Sequence, residues 1–184
     1  SPTFMTLFTV TNHQPWEIPK SKQDIIPTFS SKTANPKILR TMAYTDYSVG
    51  NFINQNKEKE WFDETIFIFI SDHGIMQYSD MYEDPRNAHI PFLIYCPSLI
   101  SSPQKINKIA SQSDVIPTIL HLIDYPEEYD LMGSNILAEN YSGFACRVVN
   151  DYALWFESKL LYTEIFNQGT NLYKYNNLFH RIVL

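Results

Sequence analysis

T-I-F-I-F-I-S-D-H-G, residues 65–74, opens with six consecutive β-branched or aromatic residues, Thr65 to Ile70, and carries no charge before Asp72. An uncharged run of this kind predicts a strand buried on both faces at the middle of a parallel sheet. Ser71-Asp72-His73-Gly74 ends it abruptly. Open α/β sheets bind ligands in the crevice beyond the carboxyl ends of their strands. Asp72 and His73 are therefore candidates for a metal or phosphate site.

Upstream, Phe4 to Thr11 (F-M-T-L-F-T-V-T) reads as a second central strand, and it too ends in a histidine, within Asn12-His13-Gln14-Pro15-Trp16. Residues 17–35 hold two prolines and no sustained period, which predicts a long loop. Asn35-Pro36 supplies a cap and a first helical proline, and Leu39, Met42, Ala43, Asp46, Gly50 and Ile53 follow at helical spacing to about Lys57. Asp46 falls on the apolar stripe. It reads either as a buried carboxylate bonded to backbone or hydroxyl groups or as support behind a metal ligand. Strand, helix and strand in this spacing predict a βαβ unit with a right-handed crossover.

Downstream, the polar stretch Ile75 to Ala88 is expected to run over the strand ends and wall a site. His89-Ile90-Pro91 introduces a third strand, Phe92 to Tyr95, and a helix is expected from about Asp114, with Pro117 tolerated in its first turn. From Phe144 the pattern changes to short β-like runs at 146–149, 152–156, 159–166 and 172–175, separated by turn residues. These predict an antiparallel meander added to the main sheet. The expected class is α/β, a mainly parallel sheet flanked by helices with an antiparallel meander at the carboxyl end. Residues 1–140 form the α/β portion and 141–184 an extension of the same domain.

The 184 residues suit one domain, and 44% hydrophobic against 18% charged residues is a globular balance. A net charge of -6 without any Lys/Arg run argues against a nucleic-acid surface, leaving small molecules or a metal cation as partners. Cys96 and Cys146 share no metal-binding spacing. No apolar run is long enough for a membrane span, and the opening residues do not form a signal peptide. Because the chain opens without Met, directly in strand-like sequence, a piece of a longer protein is expected, and the missing targeting segment says nothing about the whole.

Adjacent residues on a strand project to opposite sides, so Asp72 and His73 reach one ion only where the strand has turned, which Gly74 permits. Carboxylate oxygen with imidazole nitrogen suits Zn²⁺ or Mn²⁺. The same pair also serves a carboxylate–histidine contact that only shapes the turn. His89 either faces the site or is hydrogen-bonded under the 75–88 loop. Trp16 either stacks on a substrate or covers the sheet end. His121, inside an apolar helix, reads as a core or surface histidine.

Five stretches occur in a telling order: T-V-T-N-H-Q-P-W at 9–16, Y-T-D-Y-S-V-G-N-F-I at 44–53, the opening stretch at 65–74, H-I-P-F-L-I-Y-C-P at 89–97 and S-Q-S-D-V-I-P-T-I-L-H-L-I at 111–123. Over residues 4 to 137 the chain resembles the sulfatase-type domain of the alkaline phosphatase superfamily, closest to its lipoteichoic acid synthase-like branch of phosphoglycerol transferases. The resemblance implies that Asp72 and His73 are paired ligands of one divalent metal ion, Mn or Zn ahead of Mg or Ca. It implies that His13 contacts the phosphate or glycerol-phosphate headgroup, binding first and acting as an acid second; Trp16 and His89 remain further substrate-side candidates from their positions alone. In that family a metal-bound Thr, Ser or modified Cys attacks phosphorus or sulfur.

That nucleophile and a further acidic ligand lie upstream of the matching region, and Cys96-Pro97-Ser98-Leu99 departs from the sulfatase pattern of Cys or Ser, any residue, Pro, any residue, Arg. No catalytic nucleophile is therefore expected within these residues, and the chain alone is expected to be inactive. The implied parent is a metal-dependent enzyme that transfers or hydrolyses a phosphate ester of phosphoglycerol type, or a sulfate ester. A soluble sulfatase or phosphodiesterase and a non-catalytic domain of the same fold are the alternatives. Its partner is a small-molecule or lipid-headgroup ester and no nucleic acid. The resemblance further implies a membrane-anchored parent, held through a part amino-terminal to this sequence, with the domain outside the cytoplasm in the periplasmic or extracellular space.

Overall fold

In the computed structural model of the chain, residues 2–30, 32, 35–75, 85–149, 152–157, 160–165, 169–175 and 181–183 are described. They fall into two compact units, Ser1–Thr65 and Ile66–Leu184. In the first, Asn35 takes a left-handed backbone (φ 64°, ψ 64°) that turns the chain into helix α1, Pro36–Asn56. Pro36 fits because the first helical N–H has no intrahelical acceptor and its φ is already helical. Asn35 makes no side-chain capping bond.

The helix buries Ile38 and Thr41, and the Thr41 hydroxyl donates to Ile38 O at 2.9 Å, so the buried oxygen is satisfied. Ile18 and Ile26 are the buried residues of the preceding loop. Arg40 Nη2 donates to Gln23 O at 2.6 Å and Lys22 Nζ lies 5.4 Å from the Tyr47 ring centre, which tacks that loop onto α1. Asp46 is exposed, contrary to its reading as a buried carboxylate; a carboxylate at a helix surface keeps its hydration.

Phe4 to Thr11 form no strand. Their composition favours extended backbone, but a strand exists only through a partner, and among the described residues nothing pairs with this run. Phe4, Met5, Leu7, Phe8 and Val10 are 71–82% exposed. The expected βαβ unit is therefore absent from the described residues.

In the second unit, β1 (Phe67–Ile70) and β2 (Phe92–Tyr95) pair antiparallel, from Phe67 opposite Tyr95 to Ile70 opposite Phe92. β1 is half-buried with Ile70 exposed, rather than buried on both faces. Every described ladder is antiparallel where a mainly parallel sheet was expected. An apolar run of β-formers specifies burial; the direction of pairing comes from the partner, which composition does not name.

Helix α2, Val115–Leu122, is led in by a 3-10 turn at Gln112–Asp114 and buries Pro117 and Thr118. The last quarter of the chain is the expected meander: β3 (Phe144–Val149), β4 (Tyr152–Glu157), β5 (Leu160–Ile165), β6 (Gly169–Tyr175) and β7 (Arg181–Val183), paired in chain order. It forms its own five-stranded sheet instead of extending β1 and β2. Among the described residues no helix is long and apolar enough to cross a membrane.

Candidate metal centre

The ladder of β1 ends at Ile70, and the chain leaves it through Ser71 into the Asp72-His73 turn. The side chains of His73 and Asp72 are 69% and 56% exposed. His73 N donates to Asp72 Oδ1 at 2.9 Å, which holds the carboxylate against its own turn. His73 Nδ1 lies 3.0 Å from Gly74 O. A carbonyl only accepts, so Nδ1 carries a proton, and Nε2 is an acceptor wherever it carries none.

That Nε2 lies 3.5 Å from Asp72 Oδ2. Two acceptors make no hydrogen bond with each other, but they suit a cation between them. Donor atoms about 2.0–2.1 Å from a tetrahedral ion sit about 3.4 Å apart. The donor set and its spacing thus fit a divalent metal. Among the described residues no group of three or more His, Cys, Asp and Glu side chains gathers around one point. Asp72 and His73 stand as two donors.

Two supports lie behind the turn. Gly74 packs so closely on the 3-10 turn Pro85–Asn87 that an added Cβ would run into Asn87 O and lie 3.3 Å from His89 O. Glycine is required there by close backbone approach. The second support is Gln112, whose Nε2 donates to Ser71 O at 3.0 Å and to Asp72 O at 2.8 Å.

Gln112 is carried by the 3-10 turn ahead of α2, which a capping box between Ser111 and Asp114 closes. The buried Asp114 carboxylate accepts from Ser111 N at 2.8 Å, Ser134 N at 2.8 Å and the Tyr141 hydroxyl at 2.8 Å. Burial, and the carboxylate it donates to, push the Tyr141 phenol well above its usual range.

The substrate-side candidates divide between the units. His13 and Trp16, in the first, share a four-residue turn closed by Trp16 N donating to His13 O at 2.9 Å, with a cis Gln14-Pro15 bond. That is the type VI arrangement. His13 Nδ1 donates to Gln14 O at 3.1 Å, which leaves Nε2 as the ring nitrogen open to another partner. Trp16 has φ 60°, a left-handed conformation rare for a bulky residue.

His89, in the second unit, is exposed, and its carbonyl lies beside Gly74. Most of the expected loop wall, residues 76–84, lies outside the described residues. His121 is exposed on α2. The reading from sequence passed over Gln112, Asp114 and Tyr141 as site-supporting residues. Ser111-x-x-Asp114 carried the pattern of a capping box; Gln112 gave no local signal, because its acceptors are about 40 positions away.

The fold resembles that of solved structures of the alkaline phosphatase superfamily. The chain matches a protein of that superfamily from Vibrio parahaemolyticus with a TM-score of 0.80 at 23% identity, over 96% of this chain and 42% of that one. It matches the lipoteichoic acid synthase LtaP from Listeria monocytogenes with a TM-score of 0.71 at 20% identity, over 95% and 46%. More narrowly, the chain belongs to the Sulfatase family, whose model covers residues 1–125.

Among curated relatives, a lipoteichoic acid synthase-like protein of Bacillus subtilis is 26% identical over 82% of this chain and 28% of its own length. The lipoteichoic acid synthase of Staphylococcus saprophyticus is 27% identical over 77% and 24%. Arylsulfatase K of Canis lupus familiaris is 29% identical over 64% and 21%. The chain thus spans about a quarter of the length of the curated relatives it matches.

Proposed function

We propose that Asp72 and His73 are two ligands of a one-metal centre in a Sulfatase-family enzyme that transfers or hydrolyses a phosphate ester of phosphoglycerol type. The observation that carries this reading is the pair of acceptors, Asp72 Oδ2 and His73 Nε2, 3.5 Å apart at a strand end, with the other ring nitrogen tied to Gly74 O. The ion is Mn²⁺ or Zn²⁺ ahead of Mg²⁺ or Ca²⁺, since an imidazole ligand favours the first two. When bound, it stabilises charge on the transferred group and activates an oxygen nucleophile.

Each residue of the centre then has a defined task. Asp72 supplies charge, and His73 supplies a nitrogen whose tautomer the Gly74 carbonyl fixes. His13 binds the phosphate or its glycerol headgroup through Nε2 and, once protonated there, serves a leaving oxygen as acid. Trp16, on the same turn as His13, and His89, beside Gly74, are the further substrate-binding candidates of this reading. Remaining ligands and the nucleophile come from outside these residues. In the whole protein the sheet is mainly parallel, residues 1–140 contribute to its α/β domain, and 141–184 form the antiparallel extension. A membrane anchor and an extracytoplasmic position belong to the same reading.

Phosphate is preferred to sulfate because the lipoteichoic acid synthase matches run over 82% and 77% of the chain, against 64% for the arylsulfatase. The test is metal analysis and calorimetric titration of the protein with Mn²⁺ and Zn²⁺. One ion per chain is expected for wild type and none for Asp72→Ala or His73→Ala. A wild-type protein that takes up neither ion, or alanine variants that bind as wild type does, overturns the reading. Comparing turnover of a glycerol phosphodiester with that of an aromatic sulfate decides the ester class.

A further inference from the structure

Gln112 makes an unusual connection. Its single amide nitrogen donates to two carbonyls, Ser71 O at 3.0 Å and Asp72 O at 2.8 Å. These carbonyls belong to the first two residues past the β1–β2 ladder, where the strand no longer supplies donors. The next residue is His73. Fixing the carbonyls of 71 and 72 fixes the two peptide planes from which the Asp72 and His73 side chains depart.

The donor is itself immobilised. Gln112 begins the 3-10 turn that Ser111 and Asp114 close, and the Asp114 carboxylate is buried and bonded to Ser111 N, Ser134 N and the Tyr141 hydroxyl. Gly133 allows this approach, since a Cβ there would run into the backbone of Ser113. A buried, fully bonded carboxylate therefore anchors the turn whose glutamine grips the metal-ligand turn.

We propose that Gln112 is a positioning residue for the Asp72–His73 metal centre, acting through the Ser71 and Asp72 carbonyls without touching the ion; this rests on the metal reading above. Gln112 is exposed and outside the core, so replacing it leaves the fold intact. What it changes is preorganisation. Partners that orient metal ligands are worth about 10- to 100-fold in metal affinity.

The test measures the Zn²⁺ dissociation constant of the protein by competition with a chromophoric chelator, for wild type, Asp72→Ala, Gln112→Met, Gln112→Glu and Gln112→Arg. The thermal midpoint of each metal-free variant is recorded beside it. Met keeps the shape and loses the donors, Glu places a carboxylate against two carbonyls, and Arg restores N–H donors. The expected order of affinity is wild type, then Arg, then Met about 10-fold or more weaker than wild type, then Glu weakest, with metal-free midpoints unchanged. If wild type and Asp72→Ala bind Zn²⁺ equally, the metal reading itself fails. If Asp72→Ala loses binding while Gln112→Met and Gln112→Glu match wild type, the role of Gln112 is refuted alone. A loss of affinity matched by an equal fall in metal-free stability would also refute it, because it would make Gln112 a general structural residue.

Discussion

The His73 ring is held on both sides by its own turn: Nδ1 lies 3.0 Å from the carbonyl of the very next residue, and Nε2 faces Asp72 Oδ2 across 3.5 Å. Everything then depends on where Gly74 puts that carbonyl. The absent Cβ is what lets Gly74 lie against Asn87, a residue buried to 1% exposure, and the obstructing atoms are backbone, which side-chain rotation does not relieve. Gly74→Ala should therefore destabilise the protein by about 1–3 kcal/mol and weaken metal binding together. Denaturant unfolding and metal titration of the variant check this, and an alanine variant as stable as wild type would show that the contact is loose. This residue pair was legible in the sequence because it is contiguous: a β-rich run stopping at Asp-His-Gly displays both donors and the glycine at once. Gln112 was not, because its meaning lies in two carbonyls some 40 residues away, and carbonyls are the same in every residue.

At the level of elements the same division holds. Helix α1 was legible at its start because Asn35-Pro36 is a local stop-and-start signal, and the meander because turn residues punctuate it at short intervals. The direction of β1 against β2, and the independence of the two sheets, depend on partners distant in sequence, which composition leaves open. The lead-in to α2 adds a case in which electrostatics joins elements. Tyr141 donates to Asp114 from 27 positions away, and its phenol is raised first by burial and then by the carboxylate. A raised acid group binds its proton more tightly in the folded chain. Its contribution is complete below the unfolded tyrosine value of about 10 and is lost as pH climbs from there through the folded value. Tyr141→Phe should be less stable than wild type by about 2 kcal/mol at neutral pH, since it removes a hydrogen bond to a charged group. The gap should narrow above about pH 10, where wild type alone gives up this interaction. Urea unfolding from pH 7 to 11.5 measures the gap, and a difference constant across that range would exclude the linkage.

Across the whole molecule, the large apolar side chains that stay in water say as much as the core. Among the described residues, Ile18, Ile26, Ile38, Phe62, Cys96, Ile136 and Tyr141 are the buried hydrophobic ones, whereas five of the seven residues from Phe4 to Val10 are large, apolar and more than two-thirds exposed. The β1–β2 sheet adds Ile70, Leu93 and Tyr95 among the exposed groups. Soluble monomers rarely leave continuous apolar surface of this kind uncovered, and unpaired β-rich segments are prone to pair with another chain. The 184 residues by themselves should therefore bind an apolar dye such as ANS and associate as concentration rises in sedimentation velocity. Leu7→Lys, at a position 82% exposed, should reduce both effects while changing unfolding free energy by no more than about 0.5 kcal/mol. A chain that remains monomeric and dye-free over the concentration series would mean that residues 4–10 find a partner within the same molecule. Association that persists undiminished in Leu7→Lys would instead move the adhesive surface away from this run, leaving the β1–β2 sheet as the next to substitute, at Leu93.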